Sequence, residues 1–184
     1  MNRFISADLY RYGGLVGIKG FIKGYFIPGF KFMFHFRKVS FSKKYSISWI
    51  FNRFLLIHYT YKYGFQIPSS TKIGQGFYIG HFGTIIINPL VVIGDNCNIT
   101  SGVTIGQTNR GIMKGVPTIG NQVWIGSNAT IVGGIVIGNN VLIAPNSFVN
   151  TNIPNNSIVI GNPAKIIPKF NAVESYIEFT FINP

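Results

Sequence analysis

The sequence contains few of the side chains on which disulfide-stabilised and metal-dependent proteins rely. Its 184 residues include one cysteine, four acidic residues and three histidines. A single cysteine cannot form an internal disulfide framework, which is typical of cytoplasmic proteins. We interpret Cys97 as a packed core thiol. Because a zinc ion needs about three or four protein ligands and so few candidates are present, we predict no metal site.

Long uncharged apolar runs are also missing. A membrane-spanning helix needs about 20 mostly apolar residues, whereas the longest apolar stretches are interrupted by Arg53 and Lys62. The amino terminus carries Asp8 and has no apolar core followed by the small residues of a secretory cleavage site. We therefore predict a cytoplasmic protein without a membrane-spanning helix.

The main feature that is present is a six-residue repeat of aliphatic residues. The repeat positions are Ile67, Ile73, Ile79, Ile85, Ile93, Ile99, Ile105, Ile119, Ile125, Ile131, Ile137, Ile143 and Val149. A period of six fits neither an amphipathic helix nor a flat strand, whereas three six-residue units close one triangular coil. The sequence therefore predicts a mainly β protein, a left-handed parallel β-helix with the repeated side chains stacked inside.

Two interruptions of this repeat predict where loops leave the coil. The first adds two residues after Ile85, across Asn88 and Pro89. The second inserts about eight residues after Ile105 in a stretch rich in glycine and polar residues. We expect an N-terminal helical segment at 1–66, the β-helix at 67–167 with a loop at 106–118, and a short C-terminal tail at 168–184.

The amino-terminal segment carries most of the positive charge. Residues 1–66 contain 11 of the 16 Lys and Arg, one acidic residue and 19 of the 28 aromatic residues. No nucleic-acid-binding motif is present, and we expect no nucleic-acid partner. The pattern fits helices that cap the open end of the β-helix. It also fits peripheral contact with an anionic membrane surface, and the two interpretations are compatible.

Three features of the repeat carry a resemblance to a known family. His81 follows an Ile-Gly corner, a two-residue offset follows it, and a glycine-rich loop separates Ile105 from Ile119. With these features the region 67–167 resembles the hexapeptide acyltransferases, and within them the serine acetyltransferase branch. The sequence IVIGNPAKII at 158–167 is similar to the Gly-x-Pro-Ala-Lys/Arg ending of members that use acetyl-CoA.

The amino-terminal sequence resembles a different subset of these enzymes. DLYRYGG at 8–14 and KGYFIPGFKFMF at 23–34 are similar to small acetyltransferases of capsule, colanic acid or O-antigen biosynthesis. Such a resemblance implies an enzyme at the cytoplasmic side of the bacterial inner membrane, with peripheral contact through residues 1–66.

The residues that serine acetyltransferases use around the acceptor differ here. The Asp before the family's catalytic His, the Asp that orients it and the loop His correspond to Gly80, Gln66 and Val116. The family's Gly-Glu pair corresponds to Asn88-Pro89. Because these polar contacts are missing, we expect the acceptor to be a sugar hydroxyl of a bacterial surface polysaccharide, of the capsule or O-antigen type, or of its precursor.

The resemblance implies an acetyl-CoA-dependent O-acetyltransferase with His81 as the catalytic residue. Neutral His81 would accept the proton of the acceptor hydroxyl as this oxygen attacks the thioester. No acyl-enzyme is needed when both substrates are bound together, and backbone N–H groups would stabilise the oxyanion. No acid corresponds to the orienting Asp, so we expect a backbone carbonyl or Asn88 to orient the ring.

Acetyl-CoA is the implied co-substrate, and the resemblance places it in the groove between two solenoids of a homotrimer. The cofactor-binding residues implied by matching positions are Gly106, Thr108, Gly126, Ser127, Ala144, Pro145, Asn150, Thr151 and Lys165. Contacts with the acceptor are expected from Asn88, Arg110 and Lys114.

Two further functions stay open at this point. One is serine O-acetylation in cysteine biosynthesis, which the solenoid resembles and the missing acceptor contacts disfavour. The other is a non-catalytic solenoid scaffold, which would leave His81 without a role.

Overall fold

The structure is a computed structural model that describes residues 2–181. Four helices precede a left-handed parallel β-solenoid of about five turns, so the predicted fold class is confirmed. The helices are α1 (Arg3–Tyr10), α2 (Gly17–Tyr25), α3 (Pro28–Phe41) and α4 (Ile47–Tyr63). The strands are β1 (Phe65–Gln66), β2 (Lys72–Ile73), β3 (Tyr78–Ile79), β4 (Ile85–Ile87), β5 (Val92–Ile93), β6 (Asn98–Ile99), β7 (Thr104–Gly106), β8 (Thr118–Ile119), β9 (Val123–Ile125), β10 (Thr130–Val132), β11 (Val136–Ile137), β12 (Val141–Ile143), β13 (Phe148–Val149), β14 (Ser157–Ile160) and β15 (Lys165–Pro168).

Local signals define the ends of the helices. Asn2 and Ser46 cap α1 and α4, because their side chains accept hydrogen bonds from the first free backbone N–H groups. Helix α3 begins at Pro28, where the missing N–H costs no hydrogen bond. Helix α4 ends at Tyr63, before Gly64, whose φ of 76° is accessible to glycine without strain. None of the helices within residues 2–181 is long and apolar enough to cross a bilayer.

The strands form three faces of a triangular coil. Face 1 contains β1, β4, β7, β10 and β13, face 2 contains β2, β5, β8 and β11, and face 3 contains β3, β6, β9, β12 and β14. On face 3, Ile79, Ile99, Ile125 and Ile143 stand in register on successive coils and are fully buried. The repeated aliphatic residues thus form columns, with each residue packed on its equivalent one strand spacing away.

The first interruption of the repeat lies at another position than predicted. Ile87, not Ile85, stands in register with Ile105, while Ile85 pairs with Phe65. The two extra residues therefore lie before β4, in the corner that contains His81, and not at Asn88 and Pro89. Three consecutive isoleucines hide this register in the sequence, because either Ile85 or Ile87 could be the inward position. The strand buries both and turns Ile86 outward.

The second interruption lies where the sequence places it. Ile93 pairs with Ile119 on face 2, so the residues between β7 and β8 leave the coil. Thr108 and Gly115 exchange two backbone hydrogen bonds of 2.9 Å and close this loop into a hairpin. The hairpin packs back on the coil through a hydrogen bond of 2.8 Å from Gly134 N–H to the Met113 carbonyl.

A buried ion pair fixes the helices on the first coil. The Arg37 guanidinium donates to both carboxylate oxygens of Asp8, at 2.8 and 3.2 Å, and to the carbonyl of Ile73 at 2.6 Å. Asp8 also accepts a 2.9 Å hydrogen bond from Phe77 N–H. Because both charged side chains are buried, these partners replace the water that each group loses on folding.

The carboxyl-terminal residues cover face 3. After β15 turns back antiparallel on β14, the chain runs along this face toward the helices. Tyr176 packs on Trp124 with ring centroids 4.9 Å apart, and its carbonyl accepts a 3.1 Å hydrogen bond from the Asn98 amide. The Arg11 guanidinium of the helical segment donates to the Glu178 carbonyl at 3.0 Å. The tail thus joins the last coil to the first.

Cys97 lies inside the coil, as predicted. Its side chain is fully buried, and burial raises the pKa of the thiol to about 12. The thiol therefore stays protonated at neutral pH and is a core residue without nucleophilic character.

Candidate active site

His81 lies on the enlarged corner between β3 and β4, with its side chain exposed. Two hydrogen bonds of 3.0 Å hold this corner against the end of α4, from Gly83 N–H to the Tyr63 carbonyl and from Ile85 N–H to the Gly64 carbonyl. Gly83 has a φ of 138°, which side chains rarely adopt. The imidazole makes no hydrogen bond with another side chain or backbone group of residues 2–181.

Five of the nine predicted cofactor residues lie on the same edge of the solenoid as His81. Backbone hydrogen bonds from Gly80 to Ile99, from Gly126 to Ile143 and from Ala144 to Val159 show that these corners stack coil on coil. We call this column the His81 edge. It contains Gly126 and Ser127 two coils from His81 and Ala144 and Pro145 three coils away, about 10 and 14 Å at the usual strand spacing.

Lys165 extends this edge by one more coil. It pairs with Ile160 in the antiparallel β14–β15 ladder, and its side chain is exposed. The Ser127 hydroxyl, closer to His81, donates to the Thr100 hydroxyl at 3.2 Å. A flexible ligand that lies along this edge would therefore meet a hydroxyl, the Pro145 ring and an ammonium group in succession.

The other predicted site residues lie on a second edge, at the opposite end of the face 1 strands. Asn88 N–H donates to the Ile105 carbonyl and Gly133 N–H to the Gly106 carbonyl, so these corners also stack. We call this column the loop edge, because the hairpin at 106–118 leaves the coil here. Its predicted site residues are Asn88, Gly106, Thr108, Arg110, Lys114, Asn150 and Thr151, and the Arg110 and Lys114 side chains are exposed.

Asn88 was one of the two groups expected to orient the His81 ring, but it does not contact His81 within the chain. Its carboxamide oxygen accepts a 3.0 Å hydrogen bond from Leu90 N–H. The whole of β4 separates it from the His81 corner. The Asn88 carboxamide oxygen therefore accepts a hydrogen bond within its own turn and not from the His81 imidazole.

A cleft of about 610 Å³ opens between α4 and face 1. Its polar lining includes Arg53, Gln66 and Asn88, and its walls also contain Ile57, Tyr61, Ile86 and Gly106. The Arg53 guanidinium is half-buried and donates to the Ser69 hydroxyl at 3.3 Å, which leaves most of its N–H groups free for a ligand. Sequence reasoning missed Arg53, whose only signal is a charge inside an otherwise apolar stretch.

Acidic residues, cysteine and histidine are dispersed over the structure. Among residues 2–181, no three of these side chains lie together as a group that could hold a metal ion.

Comparison with known proteins relates the repeat to acetyltransferases. The family described as "Bacterial transferase hexapeptide (six repeats)" matches residues 117–151. The chain is 38% identical over 106 residues to the serine acetyltransferase of Helicobacter pylori strain 26695, a match that covers 58% of this chain and 62% of that protein. The chain therefore spans less than two thirds of the length of this relative.

Solved structures extend the similarity to most of the chain. Serine acetyltransferase from Brucella abortus strain S19 superimposes with a TM-score of 0.74 and 27% identity, covering 92% of this chain and 69% of that one. The same Brucella enzyme in complex with coenzyme A has a TM-score of 0.73 and 26% identity, with coverage of 90% and 67%.

These comparisons contradict the sugar acceptor expected from the sequence. The relative and the solved structures described above are serine acetyltransferases, not capsule or O-antigen acetyltransferases. The expectation rested on side chains missing at Gly80, Gln66 and Val116. A missing contact does not identify another acceptor, because other residues of the site, such as Arg53, can bind the acceptor through different groups. The chain is a hexapeptide-repeat protein with a β-solenoid fold, related to serine acetyltransferases in sequence and in structure.

Proposed function

We propose that the protein transfers the acetyl group of acetyl-CoA to the hydroxyl of L-serine. The observation that carries this proposal is the His81 edge, on which an exposed imidazole, the Ser127 hydroxyl and the Lys165 ammonium stand in line. The acceptor is inferred from the serine acetyltransferases that the chain resembles.

His81 acts as the general base in this proposal. Its neutral imidazole accepts the hydroxyl proton of serine while that oxygen attacks the thioester carbonyl. The tetrahedral intermediate collapses by breaking the C–S bond. The CoA thiolate leaves and recovers the proton from the imidazolium. Backbone N–H groups of the corner stabilise the oxyanion, and no acyl-enzyme forms.

The residues of the His81 edge are suited to hold acetyl-CoA along the coils. Lys165 supplies a positive point charge for a phosphate group at the far end. Ser127 and Pro145, between Lys165 and His81, contact the pantetheine arm. Because Pro145 has no backbone N–H, the amide groups of that arm are bound by neighbouring coils instead.

A complete site requires a second copy of the chain. Gly106, Thr108, Asn150 and Thr151 lie on the loop edge, and the width of face 1 separates them from His81. In a homotrimer of parallel solenoids, the His81 edge of one copy faces the loop edge of the next. The groove between them then contains all of the predicted cofactor residues.

Arg53 is the residue that we assign to the carboxylate of serine. A guanidinium group binds a carboxylate through two parallel hydrogen bonds. In the trimer, the cleft that contains Arg53 lies beside the loop edge and therefore faces His81 of the neighbouring copy. The carbonyl oxygen of Gln66, in the same cleft, accepts a hydrogen bond from the ammonium group of serine.

The test measures CoA release from acetyl-CoA with L-serine, and mass spectrometry identifies the O-acetylated product. His81→Ala removes the base and lowers kcat by about 10²–10⁴-fold. Arg53→Gln raises the KM for serine by about 10–100-fold with an unchanged KM for acetyl-CoA, and Arg53→Lys recovers part of the loss. Lys169→Gln, an exposed change outside both edges, serves as the control.

Two results would contradict the proposal. If the wild-type protein releases no CoA in the presence of serine, then serine is not its acceptor. Unchanged turnover in His81→Ala would remove the general base, whatever the acceptor.

A further inference from the structure

Helix α4 carries an exposed apolar row that lies away from the solenoid over most of its length and ends at Tyr61, beside the cleft between α4 and face 1. Ile47, Phe54 and Tyr61 recur every seventh residue and expose 88%, 71% and 84% of their surface. Ile50 and Phe51 lie in the same row and are also exposed. The row extends over about 21 Å of helix. Solvent-exposed apolar surface of this size marks an interaction site.

Helix α2 adds a second row next to the first. Both helices approach the same side of α3, because the Tyr25 hydroxyl and the Asn52 carboxamide lie 3.0 and 2.8 Å from the two ring nitrogens of His35. Helix α2 turns Gly20 and Gly24 toward the other helices. Its outward residues are Ile18 and Ile22, and Phe26, directly after the helix, is also exposed.

Lysines border both apolar rows. Lys19 and Lys23 lie on the exposed surface of α2, Lys43 and Lys44 precede α4, and Lys62 lies at its end. All five side chains are exposed. In the described part of the helical segment, the one acidic side chain is Asp8, which is buried and bound to Arg37. The outer surface of this segment therefore combines apolar side chains with uncompensated positive charge.

A cleft of about 390 Å³ lies at one end of this surface, between α1, α2 and α3. Ile5, Ile18, Phe21 and Phe34 form its apolar walls, and Lys38 lies at the cleft as its one cationic side chain. An apolar cleft beside an ammonium group suits an acyl chain with an anionic headgroup.

We propose that the outward surfaces of α2 and α4 bind an anionic lipid bilayer. Lysines beside aromatic and aliphatic side chains are typical of helices that lie in the headgroup region, with the apolar side chains inserted and the ammonium groups on the phosphates. A second copy of the chain is the weaker candidate, because two surfaces with this excess of positive charge repel each other.

The experiment is flotation of the full-length protein with vesicles of phosphatidylcholine, with and without one quarter phosphatidylglycerol. Binding is expected to the anionic vesicles and to fall steeply as salt is added. The double variant Lys43→Gln/Lys44→Gln weakens binding by about 30-fold, since each lysine contributes about fivefold. Ile47→Ser/Phe54→Ser weakens it by at least about tenfold for each residue.

Matched controls lie on the solenoid. Val136→Ser changes an exposed apolar residue, and Lys72→Gln/Lys169→Gln removes two exposed charges. Both controls are expected to bind as the wild type does. Circular dichroism melting of every variant verifies that the fold is retained.

Three outcomes would overturn the proposal. The first is equal binding to neutral and anionic vesicles, or binding to neither. The second is an equal loss of binding in the solenoid controls. The third is a change of molar mass in Ile47→Ser/Phe54→Ser, seen by light scattering, with unchanged vesicle binding, which would assign the surface to a second copy of the chain.

Discussion

The helical segment and the solenoid bury different kinds of side chain. The helical segment encloses Asp8, Arg11, His35, Arg37 and Asn52 among its aromatic residues. The solenoid interior consists mainly of aliphatic columns that repeat from coil to coil. Each coil packs only on its neighbours, so stability in the solenoid is spread over many similar contacts. In the helical segment it depends on a few specific polar contacts, none of which is repeated.

Hydrogen bonding shows the same contrast. Along one corner of the solenoid, the side-chain oxygens of Asn121, Asn139 and Asn155 each accept a 2.7 Å hydrogen bond from the backbone of the coil before. In the helical segment, Arg11 binds Gly76, Asn98 and Glu178, three groups far apart in the sequence. The solenoid therefore uses the same hydrogen bond on successive coils, whereas each contact of the helices occurs once.

The largest expected effect is the loss of the buried ion pair. Asp8→Asn leaves the Arg37 guanidinium charged and without its counterion, and this costs about 3–5 kcal/mol of unfolding free energy. Urea unfolding can be followed separately in the two regions by tryptophan fluorescence, because Trp49 lies in α4 and Trp124 in β9. We call the two unfolding curves the Trp49 transition and the Trp124 transition. We expect the Trp49 transition to move to lower urea than the Trp124 transition.

Glu174→Gln, a change at an exposed acid, is the control for Asp8→Asn. It is expected to alter neither transition. If both tryptophans shifted equally in Asp8→Asn, the two regions would unfold as one unit and the contrast between them would be lost.

A somewhat smaller effect is expected from a cavity in an aliphatic column. Ile125→Ala removes a buried side chain between Ile99 and Ile143 and costs about 2–5 kcal/mol. Here the Trp124 transition is expected to move first. Val136→Ala, on an exposed position of β11, is expected to change stability by less than about 0.5 kcal/mol. Equal losses in both variants would show that column packing contributes little.

The smallest effect is a pH dependence confined to the helices. Burial lowers the pKa of His35, the hydrogen bond with Asn52 raises it, and the nearby Lys31 charge lowers it. Because the net shift is downward, the unfolded chain binds the proton more readily. The stability is fully present above the unfolded pKa of about 6.5 and is lost as the pH falls below it. As the pH falls from 8 to 5.5, we expect the midpoint of the Trp49 transition to move to lower urea.

His35→Gln should remove this pH dependence, and His58→Gln, at an exposed site, should keep it. A wild-type Trp49 transition that does not change over this pH range would contradict the assignment.

The sequence predicts the solenoid well because its contacts repeat. A period of six gives the columns, and the long loop is visible as a gap between Ile105 and Ile119. The shorter insertion was placed wrongly because consecutive isoleucines at 85–87 satisfy two registers. Only the pairing with Phe65 and Ile105 on neighbouring coils decides between them.

The contacts of the helices could not be predicted in the same way. Asp8 and Arg37 are 29 positions apart and no local pattern joins them. The position of Arg53 in a cleft was missed for the same reason, since this cleft forms only when α4 lies over face 1. The acceptor was predicted wrongly because it was argued from residues that are missing, and such an argument cannot identify residues elsewhere that replace them.

The two hydrogen bonds between the end of α4 and the His81 corner determine which part of the chain can be removed without disturbing the active-site loop. Gly83 and Ile85 donate to the last carbonyls around that helix, so the loop that presents the imidazole is closed partly by helical backbone. An excised solenoid would keep its columns and lose this support. A truncated or grafted version of the protein should therefore start before Arg3 and include the four helices together with the solenoid.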